Sequence, residues 1–310
     1  MLAVRISKIR VFRSMRQREA FEFYLGISPW LIGFLAFTGG PILVSFVISF
    51  TDWNLLSAPH WAGVSNYVKL LTQDEAAGQA MYNTVYYTVL SVPLALISSF
   101  FTAILLNQKV SGTSVFRTLF YLPTVTSGVA MALLWVWLLN PEFGLVNVLL
   151  KAIGIQGPAW LFDPDWAKPA LIFASLWGIG STTVIFLAGL QGRPQHLYDA
   201  ARIDGANQLQ EFRNVTLPMM TPTIFFVLIT SIIGSFQNFT TVYVMTQGGP
   251  GWSTLMYGLY LYEVAFEYLK MGYAASLAWI LFLVILVLTL AQLLGARRWV
   301  YYEGEIRGRV

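Results

Sequence analysis

Long apolar runs separated by short charged segments dominate the chain. No Asp, Glu, Lys or Arg occurs within 23–51, 76–108, 118–141, 169–192, 214–262 or 271–296. About 20 apolar residues carry a helix across the hydrocarbon core of a bilayer, and each run is long enough. The run 214–262 is too long for one span. Its second half reads Thr246-Gln247-Gly248-Gly249-Pro250-Gly251, which is turn chemistry. The pattern predicts six transmembrane helices, at 24–50, 81–107, 116–140, 169–190, 219–245 and 273–296. The first is too long, and starts too late, to be a signal peptide.

Composition narrows the class. Of 310 residues, 56% are hydrophobic and 11% charged, and mean hydropathy is +0.63. A soluble globular chain carries about 25% charged residues, so an ordinary cytosolic enzyme, a disordered chain and a nucleic-acid binder are excluded. An all-α polytopic membrane protein remains. There are no cysteines, and the two histidines, His60 and His196, lie far apart. That leaves no disulfide framework and no metal-ligand spacing.

The positive charges are unevenly placed. Arg5, Lys8, Arg10, Arg13, Arg16, Arg18, Lys109, Arg117, Arg193, Arg202, Arg213, Arg297, Arg298, Arg307 and Arg309 fall on one side of the predicted spans. Only Lys69, Lys151, Lys168 and Lys270 fall on the other. Lys and Arg accumulate in cytoplasmic loops, so both termini are expected in the cytoplasm. Trp53, Trp61, Trp160, Trp166 and Trp252 then lie near the outer interface. The basic segment reads as an anchor on anionic lipid rather than a nucleic-acid arm. The chain divides into a basic segment 1–22, a first helix with its outer loop 23–80, a five-helix core 81–296 containing a cytoplasmic loop 191–218, and a tail 297–310.

The predicted helix interiors lack ionisable residues apart from Arg117 at an interface. Ion-coupled carriers place such groups at membrane depth, and intramembrane hydrolases need a nucleophile with a base or a ligated metal. No catalytic set and no metal site can be assembled. No phosphate-loop motif occurs either, so energy for uphill movement would have to come from another subunit. Polar neutral residues do occur. At 100° per residue, Ser231, Ser235 and Asn238 share one face of the fifth helix, with Gly234, Gln237 and Thr241 beside them. Ile229, Ile232, Ile233 and Phe236 occupy the opposite face, expected to meet lipid. Such a stripe suits a neutral polyhydroxylated ligand, or it holds helices together. Trp177, Gly178, Gly180 and Thr183 in the fourth helix offer an aromatic face and close approach.

The loop between helices four and five reads Gln195-His196-Leu197-Tyr198-Asp199-Ala200-Ala201-Arg202-Ile203-Asp204-Gly205-Ala206-Asn207, continuing to Leu217-Pro218. Good helix formers over 195–203 predict a helix, with Leu197, Ala200, Ala201 and Ile203 as its apolar face. Gly205 is its natural stop. A second short helix over 207–214 should end before Pro218. The pair would be a docking element for a soluble partner or an ordinary structured loop.

This stretch resembles the coupling-loop signature of binding-protein-dependent ABC importer permeases, E-A-A-x-x-x-G with a downstream L-P. Ala200, Ala201, Asp204, Gly205, Ala206, Phe212, Leu217 and Pro218 match, and Asp199 replaces the usual Glu. Asn83-Thr84, Leu187-Ala188-Gly189-Leu190-Gln191, the Tyr243–Gly251 stretch and Gly272-Tyr273-Ala274-Ala275 resemble the carbohydrate, maltose-type branch. The resemblance covers about residues 24–296 and implies a type I importer permease without the extra N-terminal helices or large periplasmic insertion of the enterobacterial maltose permease. It implies a bacterial or archaeal cell membrane, a second related permease, two ATPase subunits that bind ATP and Mg, and a periplasmic or lipid-anchored solute-binding protein. This chain would hold no cofactor and would not itself be an enzyme. Asp199, Ala200, Ala201, Asp204, Gly205 and Ala206 would meet the ATPase. Ser231, Ser235, Asn238 and Gln237, with Gly180 and Thr183, would meet a sugar. Glycerol-phosphate or another small polar solute is the alternative cargo.

Overall fold

A computed structural model describes residues 15–108 and 111–301. Arg5, Lys8, Arg10, Arg13, Lys109, Arg307 and Arg309 of the charge reading lie outside them. Helix α1 runs Met15–Ile48. It starts well before the expected boundary because Met15–Phe23 contains good helix formers. The charges there mark where the membrane ends, not where the helix ends. A π-turn at Leu35–Gly39 interrupts it, just before Pro41, which has no N–H to donate. After α1 come a short hairpin of β1 (Thr51–Asp52) with β2 (His60–Trp61), α2 (Ser65–Thr72) and α3 (Glu75–Leu106).

The third expected span is two helices, α4 (Thr113–Val125) and α5 (Gly128–Leu138), meeting at 99°. Pro123 and Gly128 flank an extended Thr126-Ser127 pair, and these breakers end one helix and start the next. Helix α6 (Leu145–Ala152) follows. The fourth span is also bent. α7 (Pro164–Ser175) leads through a tight 3₁₀ turn to α8 (Gly180–Gln191), with 48° between the two halves. Then come α9 (Gln195–Ile203) and α10 (Gln208–Phe236), whose early turn Phe212–Thr216 is a π-turn. Last are α11 (Thr240–Met245), α12 (Tyr257–Tyr262) and α13 (Met271–Trp299). Among the described residues four helices are long and apolar enough to cross a membrane, and up to six spans result when each bent pair counts as one.

The two larger of three apolar clusters among the described residues sit at different levels of α3. Phe100, Phe186, Leu190 and Met220 close the half nearer the α9 loop, where α3, α8 and α10 pack together. The larger cluster, including Tyr87, Trp135, Leu171, Tyr257 and Leu277, fills the opposite half. Several sequence signals find their reason there. Asn83 is wholly buried. Its Nδ2 donates to the Trp252 and Leu255 carbonyls at 2.8 and 2.9 Å, and its Oδ1 accepts from Lys168 Nζ at 3.1 Å. Thr84 Oγ1 accepts the Tyr257 N–H at 2.9 Å. These bonds pin the turn-rich loop after α11, whose buried backbone would otherwise lack partners. A Cβ on Gly272 would stand 1.9 Å from the Thr51 carbonyl, so only glycine fits.

Asp74 caps α3, accepting from the Ala77 N–H at 2.9 Å. It also accepts from Tyr260 at 2.7 Å and Tyr273 at 2.5 Å. Burial pushes its carboxyl up, but the hydrogen bonds from Tyr260, Tyr273 and the Ala77 and Ala76 N–H groups outweigh it and hold the group below its ordinary value.

Candidate functional site

The expected fifth helix does not continue to residue 245. It stops at Phe236, and Gln237-Asn238-Phe239 form a break before α11. No Pro or Gly stands in that break, so the cause is packing. The Phe239 ring lies 4.9 Å from that of Tyr262 and 5.2 Å from that of Tyr243. The Asn238 carbonyl rests against Gly258, where a Cβ would come within 3.5 Å.

Beside the break is a cavity of about 450 Å³, within the usual range for a ligand pocket. Tyr87 and Ser91 from α3, Trp135 from α5, Ser175 from α7 and Ser231 and Ser235 from α10 line it, together with Asn238 of the break. Tyr87 sits among the side chains of Ser91, Ser175 and Asn238. The Ser235 and Thr88 hydroxyls are 2.8 Å apart, so one stripe member holds helices together while still facing the cavity. The Trp135 indole N–H is buried without a hydrogen-bond partner. Among the described lining residues there is no carboxylate, amine, guanidinium or imidazole.

The structure therefore brings Ser231, Ser235 and Asn238 to one cavity and separates the other three named residues from it. Gln237 is exposed and does not line the cavity. Thr183 is 1% exposed, and its hydroxyl donates to the Ile179 carbonyl at 2.9 Å, as a helical threonine commonly does. At Gly180 a Cβ would stand 2.2 Å from the Phe120 carbonyl, so this glycine serves close packing of α8 on α4. Trp177 is exposed and meets Trp135 edge-on at 6.0 Å. Trp135, not Trp177, reaches the cavity. The apolar face opposite the stripe also differs from expectation. Phe236 is buried against protein, and Ile229 packs on the small cluster of Phe225, Ala296 and Val300. Tyr87, Ser91, Trp135 and Ser175 were not singled out in the sequence. The breakers around Thr126-Ser127 and the polar residues inside α3 are the signals that point to them.

The second candidate site is the α8–α10 loop. Helix α9 matches the expected 195–203. Gly205 takes φ +80°. Its N–H bonds the Arg202 carbonyl at 3.0 Å, and the Ala206 N–H bonds that of Ala201 at 2.9 Å. These two bonds form a Schellman motif, which is what the A-x-x-x-G-A spacing encodes. Asn207 and Gln210 then form a reciprocal capping box at the start of α10. Asp199, Ala200 and Asp204 are exposed, while Ala201 and Ala206 are half-buried. Ile203 and Leu209 are 86% and 73% exposed, so the apolar face splits. Leu197 and Ala201 turn inward, and Ala200 and Ile203 face out. Among the described residues Asp199 has no ion-pair partner; it accepts only from Gln195, at 3.4 Å.

Residues 76–301 match the family model described as a binding-protein-dependent transport system inner membrane component. A probable ABC transporter permease protein of Bacillus subtilis, YesP, is 41% identical over 94% of this chain and 96% of its own length. The lactose transport system permease protein LacF of Rhizobium radiobacter is 36% identical, over 88% and 93%. The trehalose/maltose transport system permease protein MalF of Thermococcus litoralis is 33% identical, over 83% and 86%. A solved bacterial ABC transporter involved in the import of the acidic polysaccharide alginate superposes with a TM-score of 0.81 at 26% identity, covering 91% of this chain and 96% of that one.

Proposed function

Because the chain belongs to the family of binding-protein-dependent transport system inner membrane components, we propose that its cavity carries a sugar or oligosaccharide through the membrane as part of an ABC importer. The chain is a multi-pass permease subunit of such an importer. The observation that carries the cargo assignment is the cavity lining. Serine hydroxyls, the Tyr87 hydroxyl and the Asn238 amide converge there with an aromatic wall and no charged group. Hydroxyl and amide groups both donate and accept, which suits a neutral polyol. A phosphate-bearing cargo would call for Arg or Lys, and none lines the cavity, so glycerol-phosphate is disfavoured. Curated relatives named for lactose and for trehalose/maltose agree with this reading.

The remaining parts follow from the family and the loop. The α9 surface of Asp199, Ala200 and Ile203 docks on a cytoplasmic ATPase subunit, which places both chain ends in the cytoplasm. ATP and Mg are held and hydrolysed there, not in this chain. A second related permease completes the pathway, and a solute-binding protein delivers the sugar from outside. Closure of the ATPase pair shifts the permease helices between two access states.

The test is to recover the tagged chain from native membranes in mild detergent, identify its companions, and reconstitute the complex. Recovery of a second permease, an ATPase and a solute-binding protein, with ATP-driven sugar uptake abolished by Asp199→Lys, is the expected result. Recovery of this chain alone, with transport that needs no ATPase, would overturn the proposal.

A further inference from the structure

Arg193 stands in the elbow between α8 and α9, half-buried. Its Nε donates to the Leu190 carbonyl at 2.9 Å, capping the end of α8. One terminal nitrogen donates to the Tyr198 hydroxyl, and the guanidinium lies 5.2 Å over the Tyr198 ring. The Tyr198 oxygen is 2.9 Å from Thr216 Oγ1. Arginine has donors only. Tyr198 must therefore accept from Arg193, and its single proton is free for Thr216. Arg193 donates to Tyr198, and either hydroxyl can donate in the Tyr198–Thr216 bond.

These three side chains come from α8's end, α9 and α10's base. Thr216 is 8% exposed and closes the π-turn Phe212–Thr216, in which the Leu217 N–H bonds the Phe212 carbonyl. A π-turn is a place where a helix can rewrap, so an anchor there decides whether α10 follows α9. The other polar link between them, Arg202 to Glu211 at 2.9 Å, has its arginine 58% exposed. Exposed pairs of that kind contribute little. From Thr216 to the cavity residue Ser231 is about 22 Å along the helix.

We infer that Arg193, Tyr198 and Thr216 form a clasp that makes the docking helix α9 and the cavity helix α10 move as one body. The clasp is a positioning device, and its part in transport rests on the importer reading above. Its mechanical part does not. The chain has no native cysteine, so spin labels can be placed at His196→Cys on α9 and Gln237→Cys beyond the end of α10 in the full chain within its native complex. Both residues are exposed.

With Thr216 intact, or with Thr216→Ser, the interspin distance should be narrow. With the isosteric Thr216→Val, and with Tyr198→Phe, it should broaden. A Thr216→Val distribution as narrow as wild type would overturn the clasp whether or not the complex imports sugar. In proteoliposomes, sugar taken up per ATP hydrolysed should fall about fivefold in Thr216→Val, the weight of one hydrogen bond, and be restored by Thr216→Ser. An unchanged ratio would also overturn it. A wild-type complex with no ATP-driven uptake would defeat the importer reading, while the distances would still decide the clasp.

Discussion

The two ends of α10 are built on different principles. At its start, the turn and the cap are local. Gly205 turns the chain through a left-handed residue, Asn207 and Gln210 cap each other, and these turn and cap partners lie within a few residues. At its far end the helix stops without any local breaker, because Phe239 is drawn to Tyr243 and Tyr262 and the Asn238 carbonyl settles on Gly258. The first end is exposed over Asn207–Gln210. The second is enclosed and shapes the cavity. A docking element has to hold its form while its surface stays free, so local hydrogen bonds suit it. The cavity draws its wall from α3, α5, α7, α10, α11 and the turns between them, and has to be assembled by contacts distant in sequence.

That contrast predicts unequal responses to mutation. The largest loss is expected in the long-range wall. Gly180→Ala would drive a Cβ to 2.2 Å from the Phe120 carbonyl, where no side chain can give way, and overpacking of this kind costs about 3 kcal/mol. Thermal unfolding in detergent should show it, and a melting temperature equal to wild type would mean that α4 and α8 are not in contact.

A smaller loss is expected at Asp74, another long-range junction. Asp74→Asn should cost about 1–2 kcal/mol, discounted for the carboxylate's partial exposure. Since the folded carboxyl sits below its ordinary value, the stability it adds is complete above the unfolded pKa and is lost as pH falls through the folded one. Melting temperatures of wild type and Asp74→Asn should therefore converge in acid. A gap that widens in acid would contradict the assigned hydrogen bonds.

In the loop the loss should be no larger than at Asp74. Gly205→Ala meets no atom within 4 Å, so its cost is conformational alone, about 1–2 kcal/mol. Gly205→Asn should cost less, because asparagine tolerates the left-handed region. If the alanine and asparagine variants melted alike, φ +80° would not be what Gly205 supplies.

The same division explains what could be read in advance. Spans and the α9 helix come from hydrophobic runs and capping residues, which act over a few residues. The expected α9 boundaries and its stop at Gly205 agree with the structure. The bend in the third span had local signals, Pro123 and Gly128, but a continuous apolar run outweighed them in the reading. The break at 237–239 had none. Of the six residues named for the cargo, Ser231, Ser235 and Asn238 line the cavity, because a helical stripe can be read at 100° per residue. Gly180 and Thr183 show the limit of that approach. Small or hydroxyl-bearing residues look alike in sequence whether they admit a ligand or a neighbouring carbonyl.

The hydrophobic pattern and the local capping residues are enough to specify a polytopic helical membrane protein, its apolar segments, and the bounds of α9; the separate helix expected over 207–214 is instead the base of α10, which continues through Pro218. The physical terms behind those features are the cost of charge in hydrocarbon and the local closure of backbone hydrogen bonds. The folded structure was needed to show how far the two bent spans turn, where α10 ends, and that Trp135, Tyr87 and Ser175 share a wall with Asn238. Those features arise from side chains far apart along the chain competing for the same buried space, and no short window of sequence contains both competitors.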